Sequence, residues 1–146
     1  QPESVPAGPF DVVLAAFNFL FNLRDRDAQR QCLATCRDRA ADGGRLVVEA
    51  FVPDPEMRSG RAEAPGPATG VRILTETDTD RGTVAGEHVD AGGRRRPWHV
   101  CFASPTEIDA LAADVGWALE ERHEDWTGTP FLSEDSPAHV SVYRPA

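Results

Sequence analysis

The sequence predicts an α/β domain: two parallel strands joined by a crossover helix, then an inserted antiparallel meander, a second helix and a closing pair of strands. Three observations carry this. Two short apolar runs, residues 10–16 and 45–52, flank a stretch with helical spacing, the order in which a crossover joins buried parallel strands. Three strand-like segments separated by turn residues lie between 71 and 103. A proline-containing capping box, Ser104-Pro-Thr-Glu107, then opens a second helix.

Residues 1–9, rich in proline, read as a loop. Residues 10–16 (Phe-Asp-Val-Val-Leu-Ala-Ala) follow as a strand expected to be buried on both faces and bounded by Pro9 and Asn18. A helix is expected over 25–41, with Asp25 as its cap and Ala28, Cys32, Leu33, Cys36 and Ala40 on its apolar face. Gly43-Gly44 is expected to end it, because glycine tolerates the left-handed conformation found at helix ends. The second parallel strand covers 45–52, and residues 53–70, crowded with Pro, Gly, Ala and charges, read as a mobile connection. Strands over 71–77, 83–89 and 95–103 form the meander, with turns at 78–82 and 90–93. The helix from Ser104 carries Ile108, Leu111, Ala112 and Val115 on one face and closes at Gly116. A strand over 117–126, a polar loop over 127–138 and a terminal strand over 139–144 complete the chain. The whole, 1–146, reads as a single domain with 71–103 as an inserted β subregion.

A chain of 146 residues that is 40% hydrophobic and 27% charged can bury one core of ordinary size. Its 15 basic side chains, all arginine, against 24 acidic ones give a net charge of -9. Phosphate backbones and anionic lipid repel such a surface, so neither nucleic acid nor membrane is an expected partner. The run Arg94-Arg95-Arg96 reads as a solvated turn. Three cysteines, an odd number, give no disulfide framework. Cys32 and Cys36 lack the two further ligands that a zinc site requires and read as small core residues, so no metal is expected. No apolar run has the length of a membrane span and no signal peptide is seen, which gives a cytoplasmic expectation.

The order of elements resembles a known family. Phe10-Asp-Val-Val-Leu-Ala-Ala-Phe-Asn18, the helix after it and Asp42-Gly-Gly-Arg-Leu-Val-Val-Glu49 resemble the fourth strand, next helix and fifth strand of class I, Rossmann-like S-adenosylmethionine-dependent methyltransferases of the small-molecule type. The segment from Ser104 to Gly116, the strand after it and His139 to Arg144 are similar to that family's last helix and closing hairpin, in which the final strand inserts antiparallel between two others. The resemblance implies S-adenosylmethionine as cofactor of the complete fold, and a partial Rossmann-like sheet whose inserted meander covers the substrate side. The family's first strand, glycine-rich turn and ribose-binding acidic residue are expected before Phe10, and no G-x-G-x-x-G occurs in this sequence. The expected central strand at 10–16 therefore has a bare edge, to be covered by a missing N-terminal half, a homodimer mate or a rearranged segment of this chain.

Candidate site residues follow from where ligands bind in parallel α/β sheets, at the carboxyl ends of strands. Ala16, Phe17 and Asn18 end the first strand and are the candidate cofactor contacts. Glu49, near the end of the next, is a candidate for orienting substrate. Of the four histidines, His88, His99, His123 and His139, His99 beside Trp98 is the first candidate for a base that takes a proton from the acceptor, and His139 the second. Trp98, Phe102 and Trp126 are candidates for an apolar substrate pocket. The leading functional expectation is methyl transfer to a small molecule when the fold is complete. The alternatives are a truncated, non-catalytic protein serving as a dimeric binding or assembly module, or a pocket repurposed for another reaction.

Overall fold

The computed structural model describes residues 6–133 and 135–146, so residues 1–5 of the expected N-terminal loop, and Glu134 of the expected polar loop, lie outside the described residues. The chain divides into two compact units, one of residues up to Pro53 together with Ala103–Ala146, the other Asp54–Phe102.

In the first unit, β1 (Phe10–Ala15) pairs parallel with β2 (Ala40–Phe51), placing Val13 opposite Leu46 and Ala15 opposite Val48. The crossover between them contains a short 3-10 turn (Phe19–Asn22) and helix α1 (Arg26–Arg39). After the second unit, helix α2 (Pro105–Ala113) leads to β7 (Trp117–His123) and β8 (Ala138–Pro145). β8 inserts between β2 and β7, antiparallel to both, so the sheet order is β1-β2-β8-β7.

Alternate residues of a strand share a face, and one face of this sheet forms the core. Leu46, Val48 and Ala50 of β2 pair with Tyr143, Ser141 and His139 of β8, and all six are buried. Leu33 of α1, Ile108 and Ala112 of α2, and Trp117 are buried with them. The Trp117 indole N–H donates to the Leu33 carbonyl at 3.1 Å, and the Tyr143 hydroxyl donates to Asp109 of α2 at 2.7 Å, which ties both helices to that face.

β1 departs from the expected strand buried on both faces. It is the edge of the sheet, and Val12 and Leu14 are 60% and 58% exposed. Among the described residues nothing pairs with its outer edge.

Two corrections concern α1. Asp25 caps it as expected, accepting from the Ala28 N–H at 2.8 Å, but the helix ends at Arg39 and Gly43-Gly44 lies within β2. Neither glycine takes a positive φ. Gly44 is needed for close packing instead, because a Cβ there would sit 2.8 Å from the Phe10 carbonyl oxygen. The buried face of α1 consists of Gln29 and Leu33, while Cys32 and Cys36 are half-buried.

The second unit is an antiparallel sheet of β3 (Gly60–Pro65), β4 (Arg72–Asp78), β5 (Thr83–Val89) and β6 (Arg95–Cys101), hydrogen-bonded in that order. The expected three-stranded meander is present, but the supposedly mobile connection supplies a fourth strand, β3. Every residue of β3 is exposed, so no apolar alternation announces it. Its backbone ladder with β4 and the pairs Arg61–Glu76 and Arg72–Glu63 hold it. Among the described residues, no helix is long and apolar enough to cross a membrane, and no three metal-ligating side chains cluster.

Candidate functional site

The carboxyl ends of β1 and β2 meet in a sharply turned, strained loop. Past Ala15, Phe17 and Asn18 adopt φ 55° and 56°. A left-handed conformation costs an L-residue about 1–2 kcal/mol; asparagine tolerates it better than phenylalanine. Such outliers persist only where their surroundings hold them, and they concentrate at functional sites.

Here the hold comes from β2. The Phe17 N–H donates to Glu49 Oε2 at 2.8 Å, and the Asn18 N–H donates to the Glu49 carbonyl at 3.2 Å. Asn18 Oδ1 in turn accepts the Phe51 N–H at 2.7 Å. Below the loop, Leu20 and Phe21 are buried, the buried Gln29 amide donates to the Leu20 carbonyl at 3.0 Å, and the Phe21 ring meets Phe51 edge-on at 4.8 Å. The consequence is an aromatic side chain, Phe17, held 85% exposed at the strand ends. Four of the residues singled out in the sequence, Ala16, Phe17, Asn18 and Glu49, thus come together. The Asn18 amide oxygen and the Glu49 carboxylate also hold the loop in shape. The signal that finds Glu49 is its register: Val48 lies opposite Ala15, so the next side chain reaches the turn.

His139 is a correction. It is fully buried on the core face, its Nδ1 within 2.7 Å of Ser141 Oγ and its Nε2 without a hydrogen-bond partner. Arg122 donates to Ser141 Oγ at 2.7 Å and to Asp109 at 2.5 Å, and Asp109 also accepts from Tyr143. Burial, reinforced by the Arg122 charge and opposed by Asp109, lowers the His139 pKa to about 4. Neutral and enclosed at pH 7, this imidazole is a core residue and not a base facing solvent. Burial and Asp109 likewise push the Tyr143 hydroxyl above its ordinary range.

In the second unit, Trp98 and His99 are successive residues of β6 and so point to opposite faces of the sheet. The Trp98 indole lies across Gly86, where an added Cβ would meet its ring at 2.2 Å, and His88 is 6.2 Å away between centroids. The Trp98 N–H is buried without a partner. His99 is exposed, and Phe102, just past β6, is 8% exposed. Trp126, in the first unit, follows β7 and is 55% exposed.

No protein-family model and no curated protein matches this chain. Solved structures do. The CcbJ methyltransferase of Streptomyces caelestis is 30% identical, with a TM-score of 0.84 over 98% of this chain and 60% of that one. An S-adenosylmethionine-dependent methyltransferase of Clostridium acetobutylicum gives a TM-score of 0.75 at 7% identity, over 100% of this chain and 63% of the other. CalS10 of Micromonospora echinaspora, an amino pentose methyltransferase with S-adenosylmethionine bound, gives 0.64 at 18% identity, over 99% and 62%. This chain therefore spans about three fifths of the length of the relatives it matches. With a parallel β1–β2 crossover and an antiparallel β8 inserted beside β2, its fold is that of the class I, Rossmann-like S-adenosylmethionine-dependent methyltransferases of small molecules.

Proposed function

We propose that this chain forms one side of a site for methyl transfer from S-adenosylmethionine to a small-molecule acceptor. The observation that carries the reading is the strained Ala16–Phe17–Asn18 loop at the carboxyl ends of two parallel strands, fixed by Glu49 so that it presents an exposed aromatic ring. The described residues fit one wall of a cofactor site. When bound, S-adenosylmethionine supplies an electrophilic methyl group on a sulfonium, which passes in line to the acceptor. Phe17 packs against the ligand and excludes water, while Glu49 and Asn18 hold it in position.

The glycine-rich wall, which this sequence lacks, belongs in this reading to other polypeptide that pairs with the open edge of β1; a second copy of this chain would cover that edge without supplying the wall. On the second unit, His99 is the proposed proton acceptor and Phe102 a proposed apolar contact; Trp98, on the face of β6 opposite His99 and packed across Gly86, does not contact the same acceptor molecule. Trp126 is a further proposed contact on the first unit.

A thermal-shift titration with S-adenosylhomocysteine tests the reading. At ten times the dissociation constant, binding to the native state adds about 1.4 kcal/mol, a rise of about 4–5 °C for a chain of this size. Wild-type protein is expected to show the rise and F17A to lose most of it; no rise in wild-type protein rejects the reading. The open, apolar edge of β1 favours one other reading, a non-catalytic module that associates through that edge. Light scattering that gives twice the 15.9 kDa chain mass, with no response to S-adenosylhomocysteine, is the result that supports it.

A further inference from the structure

The sheet of the second unit has β3 and β6 as its edges, and among the described residues nothing pairs with the outer side of either. An open edge templates pairing with another chain unless proline, charge or a bulge blocks it. On β6 it is blocked. The Phe102 N–H donates to the Gly82 carbonyl at 2.7 Å, so by alternation the backbone of Pro97 points away from β5. Pro97 has no N–H to offer there, and Arg94-Arg95-Arg96 precede it. β3 differs. The Gly66 N–H donates to the Val71 carbonyl at 2.8 Å, so alternation turns the backbone groups of Ala62 and Ala64 toward β4 and those of Arg61 and Glu63 outward. Every residue of β3 is exposed, and its proline, Pro65, comes last.

The charges on this edge are self-complementary. Two copies of a strand pair antiparallel about a two-fold axis, and the side chains choose where the axis falls. Registers centred on Arg61 or on Glu63 set like charges opposite each other, which is unfavourable. A register centred on Ala62 sets Arg61 opposite the partner's Glu63, and Glu63 opposite the partner's Arg61, as the hydrogen-bonded pairs of the ladder. Within one copy Arg61 already pairs with Glu76 at 3.3 Å, and Arg72 with Glu63 at 3.1 Å. The Ala62 register joins these pairs into rows of alternating charge across the axis.

We propose that β3 is a homodimerisation edge: a second copy of this chain pairs with it antiparallel about a two-fold axis at Ala62, making one sheet of two four-stranded ones. This association is independent of the methyl-transfer reading and of β1, whose edge belongs to the first unit. A short ladder with exposed ion pairs makes a small, weak interface.

The test is sedimentation equilibrium of the full chain over a range on the order of 10 µM to 1 mM, suited to an interface of this class. The wild-type mass is expected to rise from 15.9 kDa toward twice that value. R61E leaves only carboxylates on the pairing positions and E63R only guanidinium groups, so each variant alone is expected to associate on the order of tenfold more weakly. An equimolar mixture of the two restores opposite charges across the axis and recovers the wild-type association, which a variant that had lost β3 would not do. Amide exchange locates the contact: the Arg61 and Glu63 amides slow as concentration rises, whereas those of Ala62 and Ala64, already bonded to β4, do not respond. A wild-type chain that stays at 15.9 kDa overturns the proposal. So do variants that associate as well as wild type, or a mixture no tighter than either variant, the results expected if copies met through β1.

Discussion

Phe17 sits where an L-residue is least at ease, at φ 55°, with its ring 85% exposed. Nothing among the described residues covers this large apolar side chain, and the proposed cofactor contact would. The account predicts opposite effects of F17G on stability and binding. Glycine relieves strain of about 1 kcal/mol, so the urea midpoint rises with an unchanged slope while S-adenosylhomocysteine binding weakens. A lower midpoint would mean that the ring stabilises the fold.

His139 makes a second prediction at this scale. Its pKa falls from 6.5 to about 4 in the native state, so between those values the unfolded chain binds a proton that the folded one does not. Stability therefore rises with pH across that window. The contribution is fully present above 6.5 and is lost as pH falls to about 4, on the order of 3 kcal/mol. Urea melts at pH 7 and pH 4.5 are expected to differ more in wild-type protein than in H139Q. Equal differences would remove the assignment.

Among the elements, α2 was the most legible because its start is written in four adjacent residues. Ser104 Oγ accepts the Glu107 N–H at 3.2 Å, Glu107 Oε2 accepts the Ser104 N–H at 2.7 Å, and Pro105 occupies the first turn. S104A is expected to cost about 1 kcal/mol in chemical denaturation; no change would mean that the box contributes nothing. Strands β1, β2 and β8 were legible from their apolar runs. The end of α1 was not, because Gly43-Gly44 resembles a helix stop and instead serves a close approach to Phe10. β3 was hidden because a fully exposed strand needs no apolar pattern. The cysteines of α1 resembled core residues because helical spacing alone does not say which stripe faces inward, and the polar Gln29 took the buried place beside Leu33. At the site, position along the strands was readable, but the part played by Glu49 needed the register of β1 against β2.

At the scale of the molecule, a parallel pair with an inserted antiparallel strand has the candidate site at the strand termini and, among the described residues, an unpaired edge at β1. The first unit carries the candidate cofactor contacts and the second, Asp54–Phe102, carries His99 and Trp98. The central claim is that S-adenosylmethionine binds against the loop after β1. The most direct test is a two-dimensional amide NMR titration of the ¹⁵N-labelled protein with S-adenosylhomocysteine. The account predicts the largest shifts at the amides of Ala16, Phe17 and Asn18. Unshifted amides at these three positions, or shifts confined to the second unit, would contradict it.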